Sequence, residues 1–203
     1  QLLYVSRLKA AGIQERHLQD WTFASATDTP SIQMAKRYTE NWKKVKAENL
    51  GLLLWGDVGT GKSFLAACIA NALLEKGVPV LMTNFSKILN QMGAMYSDER
   101  YRYIASFNRF SLLIIDDLGI ERNTEYALEQ VYAVIDERYK TGLPLIITTN
   151  LTISQLRNPE DVAHARIYSR VLEMCTPVHV PGHDRRTTIG KSKQELVKEV
   201  LFS

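Results

Sequence analysis

Eight consecutive residues restrict the fold of this chain more than any others. Gly56-Asp57-Val58-Gly59-Thr60-Gly61-Lys62-Ser63 meets the pattern G-x-x-x-x-G-K-[ST] at every position. The apolar run GLLLW (51–55) precedes it, and a stretch from Lys62 to Lys76 with the pattern of a buried helix follows, stopped by Gly77. The order is strand, loop, helix. Such a loop needs glycine because it wraps so closely around a triphosphate that a Cβ would collide, while several backbone N–H groups converge on the anion. The following helix adds its positive N-terminal end. In this reading Gly56 to Ser63, with Phe64 behind them, cradle ATP: Lys62 reaches the β and γ phosphates, and the Ser63 hydroxyl ligates Mg²⁺. The plainer alternative is a glycine-rich turn that happens to fit the pattern.

Four further apolar runs have strand length: PVLMT (79–83), SLLIID (111–116), PLIITT (144–149) and PVHV (177–180). Helical stretches separate them. One helix is expected from Thr29-Pro30 to Lys46, with Thr29 as N-cap and Ala35, Tyr38, Trp42 and Val45 on one face. Another runs from Thr124 toward Gly142 on Leu128, Val131, Tyr132, Ile135 and Tyr139. Five strands alternating with helices imply an α/β fold, a parallel sheet with helices on both faces.

Composition narrows the class without naming a ligand. At 203 residues and 45% hydrophobic, one domain is expected, and no apolar run reaches the roughly 18 residues that a membrane span requires. The N-terminal stretch lacks the apolar middle of a secretory signal, so a cytoplasmic location is expected. Cys68 and Cys175 stand far apart with no CxxC pair, which indicates neither a zinc site nor a disulfide framework. A net charge of +3 is too small to argue for nucleic acid by itself.

The run SLLIIDDLG ends a hydrophobic strand on two carboxylates. Ligands of open α/β sheets gather at the carboxyl ends of strands, where the glycine-rich loop also lies. Asp116 is therefore the candidate for the Mg²⁺ shell, and Asp117 for polarising an attacking water. Asn150, directly after PLIITT, occupies another strand end and is a candidate to hold the same water; a turn-forming asparagine is the alternative.

Taken in order, GDVGTGKS, LLIIDDLG, the strand ending ITTN, and RIYSRVLEMC followed by GHDRR resemble the AAA+ ATPases of the DnaC/IstB type, and within them bacterial and phage helicase loaders. The resemblance covers about Gly12 to the C-terminus. It implies a P-loop NTPase of three αβα layers with strand order 5-1-4-3-2, Walker B at Asp116 and Asp117, sensor 1 at Asn150, an arginine finger at Arg170 with Arg166 competing, and sensor 2 at Arg186. It also implies homo-oligomers with ATP between subunits, contact with single-stranded DNA and a replicative helicase as partner. Residues 1–28 are then a linker, 29–181 the nucleotide-binding core, and 182–203 a sensor 2 segment with a short helix near Lys193 to Phe202, a reduced lid. The N-terminal helicase-binding module is expected to be missing. Many AAA+ proteins carry Glu where Asp117 stands, so a slow ATPase, dependent on assembly or DNA, is expected.

For DNA, the segment Tyr96 to Tyr103 interleaves aromatics with Arg100 and Arg102, a composition suited to stacking and phosphate pairing; a solvated helix face is the alternative. Through the resemblance, Thr124 and Tyr126 in the loop 120–126 match positions facing the DNA channel, so the DNA candidates are Thr124, Tyr126, Arg100 and Tyr103. Rival functions are an IstB-like transposition helper on duplex DNA, a small-molecule kinase, and a nucleotide switch that recruits a partner.

Overall fold

The computed structural model describes residues 2–119, 124–182 and 200. The chain opens with helices α1 (Leu2–Gly12), α2 (Arg16–Gln19), α3 (Pro30–Glu40) and α4 (Trp42–Ala47). Strand β1 (Gly51–Trp55) leads through the glycine-rich loop into α5 (Lys62–Glu75), and β2 (Val80–Asn84) into α6 (Phe85–Met92) and α7 (Ser97–Ser106). Next come β3 (Leu112–Leu118), α8 (Glu125–Thr141), β4 (Leu145–Thr149), α9 (Ile153–Arg157), α10 (Val162–Met174) and β5 (Cys175–His179).

The five strands pair in parallel in the order β2-β3-β4-β1-β5, which is the expected 5-1-4-3-2 read from the other edge. Successive side chains of a strand point to opposite faces, and both faces are covered, so the strands are apolar at nearly every position. Leu53, Leu113, Ile115 and Ile147 pack under Val131 and Ile135 of α8 and Ile167 and Val171 of α10. Leu54, Ile114 and Ile146 face the other way, onto Leu65, Ile69 and Leu73 of α5 and Ala35 and Tyr38 of α3. Helices α8 and α10 thus lie across the sheet from α5.

Three local readings change. The helix expected from Thr29 to Lys46 breaks at Asn41, whose side-chain amide donates to the Arg37 carbonyl (2.8 Å) and closes α3 before α4 begins. Its start is as expected, with the Thr29 hydroxyl accepting from the Ile32 amide. The stretch read as a linker holds α1 and α2, because Ile13 and Leu18 are buried: Ile13 forms a parallel bridge to Met82 at the edge of β2. Strand β3 runs two residues past the expected 116, through Asp117 to Leu118, with its pairing to β4 slipping between Ile115 and Leu118.

A buried cation fastens the far edge of the sheet. Arg138 of α8 is 1% exposed and donates to the carbonyls of Phe110 (3.0 Å), Ser111 (3.1 Å) and Pro144 (2.9 Å), just ahead of β3 and β4. Burial pushes its guanidinium down to about 10, still charged at neutral pH. Cys68 and Cys175 are free and buried, and desolvation pushes the Cys68 thiol up to about 12. Among the described residues, no helix is long and apolar enough to cross a membrane. The segment 182–203, with Arg186 and the helix expected from Lys193, lies outside the described residues except for Gly182 and Val200.

Candidate nucleotide-binding site

The loop after β1 is shaped by its glycines. Gly56 has a positive φ, and a Cβ there would stand 2.7 Å from the Val180 carbonyl, so only glycine lets the chain leaving β5 lie against the loop. Gly61, at φ 97° on the N-cap of α5, turns the loop into the helix with open space where a Cβ would be. Between them the Thr60 hydroxyl donates to the Asp57 carbonyl (3.0 Å). Asp57 and Val58 are exposed at the tip, and Gly59 is half-buried beside them. Lys62 is 5% exposed and its ammonium donates to the carbonyls of Gly56 (2.9 Å) and Asp57 (2.7 Å), which folds it back over the loop.

The acids of β3 arrive beside this loop. The Ser63 hydroxyl lies beside Asp116, near enough to lower its pKa, and the Thr148 hydroxyl donates to the same carboxylate at 2.6 Å. Burial raises the Asp116 pKa above the usual carboxylate range, the Thr148 and Ser63 hydrogen bonds pull against it, and the negative charges of Asp117 and Glu15 add to it. Asp117 has φ 59°, a left-handed backbone, and its amide donates to the Thr148 oxygen at 2.9 Å. One buried hydroxyl therefore serves both acids. Thr149 does similar work one residue on, donating to the Leu118 carbonyl and accepting from the Leu151 amide. Because Thr149 is the register partner of both Trp55 and Leu118, Asn150 emerges, exposed, between the glycine-rich loop and the acids.

Sequence reasoning missed two parts of the site. Thr148 reads as an ordinary strand residue, and only the pairing of β4 with β3 shows its use. The second is a cavity of about 470 Å³ beside Gly61 and Phe64, walled by Thr29, Ile32 and Met34 from the start of α3 and by His179 and Val180 from the end of β5. Its predominantly apolar wall suits a flat heterocycle. No local motif marks those segments, which only the tertiary fold brings together. The residues fit Mg·ATP: a buried ammonium, a hydroxyl and a carboxylate in contact, and a base-sized cavity next to them.

The late arginines lie elsewhere. Helices α8 and α10 both run from the carboxyl edge of the sheet to its amino edge, since each follows one strand end and precedes the next strand start. Arg170, in the last turns of α10, sits over the Tyr139 ring (4.0 Å to the centroid) near the end of α8, at the edge opposite the glycine-rich loop. Arg166 stacks on Tyr132 at 4.3 Å. Of the DNA candidates, Thr124 caps α8 by accepting from the Ala127 amide, and Tyr126 is 40% exposed with the Arg100 guanidinium 5.4 Å from its ring centroid. Tyr103 turns inward instead: its ring packs edge-on against Phe107, its hydroxyl bonds Gln91, and burial raises its pKa.

Comparison with known proteins adds a family and a fold. Residues 2–193 match the family model described as IstB-like ATP binding protein. The replicative helicase loader DnaI of Bacillus subtilis is 28% identical over 162 residues, 74% of this chain and 50% of that protein. A putative ATP-binding protein in an insertion sequence of Mycobacterium tuberculosis is 25% identical over 71% of this chain and 57% of its own length. The chain thus spans about half the length of these curated relatives. A crystal structure of DnaI superposes with a TM-score of 0.69 at 23% identity, covering 88% of this chain and 99% of that one.

Proposed function

The chain belongs to the IstB-like ATP-binding protein family, and from that premise we propose that it is a cytoplasmic AAA+ ATPase that hydrolyses ATP while loading a replicative helicase onto single-stranded DNA. The placement of Asp116 beside Ser63, held by the Thr148 hydroxyl at the mouth of the glycine-rich loop, is the observation that carries the ATPase reading. When bound there, Mg²⁺ neutralises phosphate charge. Lys62 would turn from the loop carbonyls to the phosphates, Ser63 and Asp116 would hold the Mg²⁺, and Asp117 would polarise water that Asn150 orients. Arg170 supplies its guanidinium to the nucleotide of a neighbouring copy, because its place at the opposite edge and face of the sheet keeps it from its own. Arg186 is the proposed sensor 2. The loader assignment rests on the likeness to DnaI, and the pairing of Arg100 with Tyr126 offers DNA a stacking and phosphate-binding surface. The insertion-sequence relative favours a second reading, a transposition helper on duplex DNA.

Measuring phosphate release and DNA affinity tests both parts. Lys62→Ala should abolish nucleotide binding, and Asp117→Asn should bind ATP without hydrolysing it. Tyr126→Ala should weaken single-strand binding by about 1 to 3 kcal/mol, the worth of one stacked base. Parental turnover in both loop and acid variants would remove the site assignment, and a preference for duplex would turn the function toward the transposition helper.

A further inference from the structure

Arg170, half-buried on α10, is held on several sides. Its Nε lies 3.4 Å from an Asp136 carboxylate oxygen, its Nη1 lies 3.7 Å from Glu173, and its plane rests on Tyr139. Each support is itself held. Asp136 is 14% exposed, pairs with Lys140 at 2.7 Å, and accepts from the Tyr132 hydroxyl, while the Tyr139 hydroxyl donates to Glu173 at 2.7 Å. Among the described residues, ion pairs form at Arg170 and not at Arg166, although both stack on a tyrosine of α8.

The packing of α8 on α10 does not call for this arrangement. That interface is already closed by Val131, Ile135, Ile167 and Val171, all fully buried, and the ion pairs lie at its rim. A guanidinium that must meet a phosphate across a subunit boundary gains from having its direction fixed beforehand, since a long side chain otherwise samples many rotamers. We propose that Asp136 is a positioning residue for Arg170: with Tyr139 beneath, it fixes the guanidinium in the direction from which it serves a neighbour's nucleotide. In this role Asp136 acts only through Arg170. The inference rests on the reading of Arg170 as a finger given to a neighbour.

Mixing variants tests it, with ATP turnover as the readout. Lys62→Ala subunits retain a supported Arg170 but no cradle, and Arg170→Ala subunits retain a cradle but no finger. Asp136→Asn alone should lose about tenfold to a hundredfold in turnover, the scale of a misplaced reacting group, with ATP affinity unchanged. Mixed with Lys62→Ala it should regain turnover, because its intact cradle receives a well-placed finger. Mixed with Arg170→Ala it should regain none. An Asp136→Asn protein as active as the parent overturns the proposal. So does one that stays inactive in both mixtures while Lys62→Ala and Arg170→Ala repair each other, since a merely misfolded subunit would behave in that way. If those two variants fail to repair each other, the finger does not cross between subunits, and the neighbour arrangement falls along with the role of Asp136.

Discussion

Thr148 is fully buried, and its hydroxyl holds the site's two acids at once, as donor to Asp116 and acceptor from the Asp117 amide. Thr148→Val keeps the shape and deletes the hydroxyl, leaving the Asp117 amide without that partner. An unfolding free energy lower by about 1 to 3 kcal/mol is expected from denaturant titration, with Thr148→Ser close to the parent. The pH profile should move as well. As the proposed Mg²⁺ ligand, Asp116 would act only when ionised, so turnover should be present above its folded pKa and fade as pH falls through it. Burial already raises that pKa, and losing the Thr148 hydrogen bond raises it further; the acid limb of Thr148→Val should therefore lie at higher pH. For the protein without ligand the linkage has the opposite sense. A carboxylate whose folded pKa is raised opposes folding above that pKa, and the penalty is relieved as pH falls. None of this was legible in PLIITT, where a threonine reads as strand propensity. The two acids were legible, and the backbone at Asp117 suggests why the second is aspartate: a left-handed φ is several-fold commoner for Asp and Asn than for residues in general.

At the level of elements, the glycine-rich loop, the five strands and their parallel sense followed from apolar run lengths and from the alternation with helices. What pattern alone did not show were features set by single polar contacts, such as the break at Asn41 and the clamp formed by Arg138. A charged residue in an amphipathic helix reads as solvent-facing until the strands beneath it are in place. Arg138 binds α8 to the starts of β3 and β4, so replacing it should loosen that edge of the sheet. Arg138→Met should lower the unfolding free energy by about 3 kcal/mol or more, because three carbonyls, two of them buried, lose a charged donor. Arg138→Lys should recover only part, since a compact ammonium does not reproduce the planar fork. Chemical denaturation followed by circular dichroism measures both, and equal stability of all three proteins would show that the clamp carries no net energy.

For the whole molecule, the decisive separation is between the cradle at the carboxyl edge and Arg170 at the amino edge, on the other face of the sheet. The family resemblance assigned the parts, and the structure shows that one copy does not bring them together. Turnover per subunit is expected to rise with protein concentration as copies associate, and a kinetic titration over that range is the check; a flat response would mean that a single copy is sufficient. If Arg170 serves a neighbour as proposed, the same separation would give the assembly a polarity. A chain that offered a finger at one end and a cradle at the other would join head to tail, through unlike surfaces that close into a ring or continue as a filament. An open row of n copies then contains n − 1 complete sites and one idle cradle at its end, whereas a closed ring has none idle. Average turnover per copy in short open rows would climb steeply with length and then level off, so catalysis itself would report how many copies stand in line.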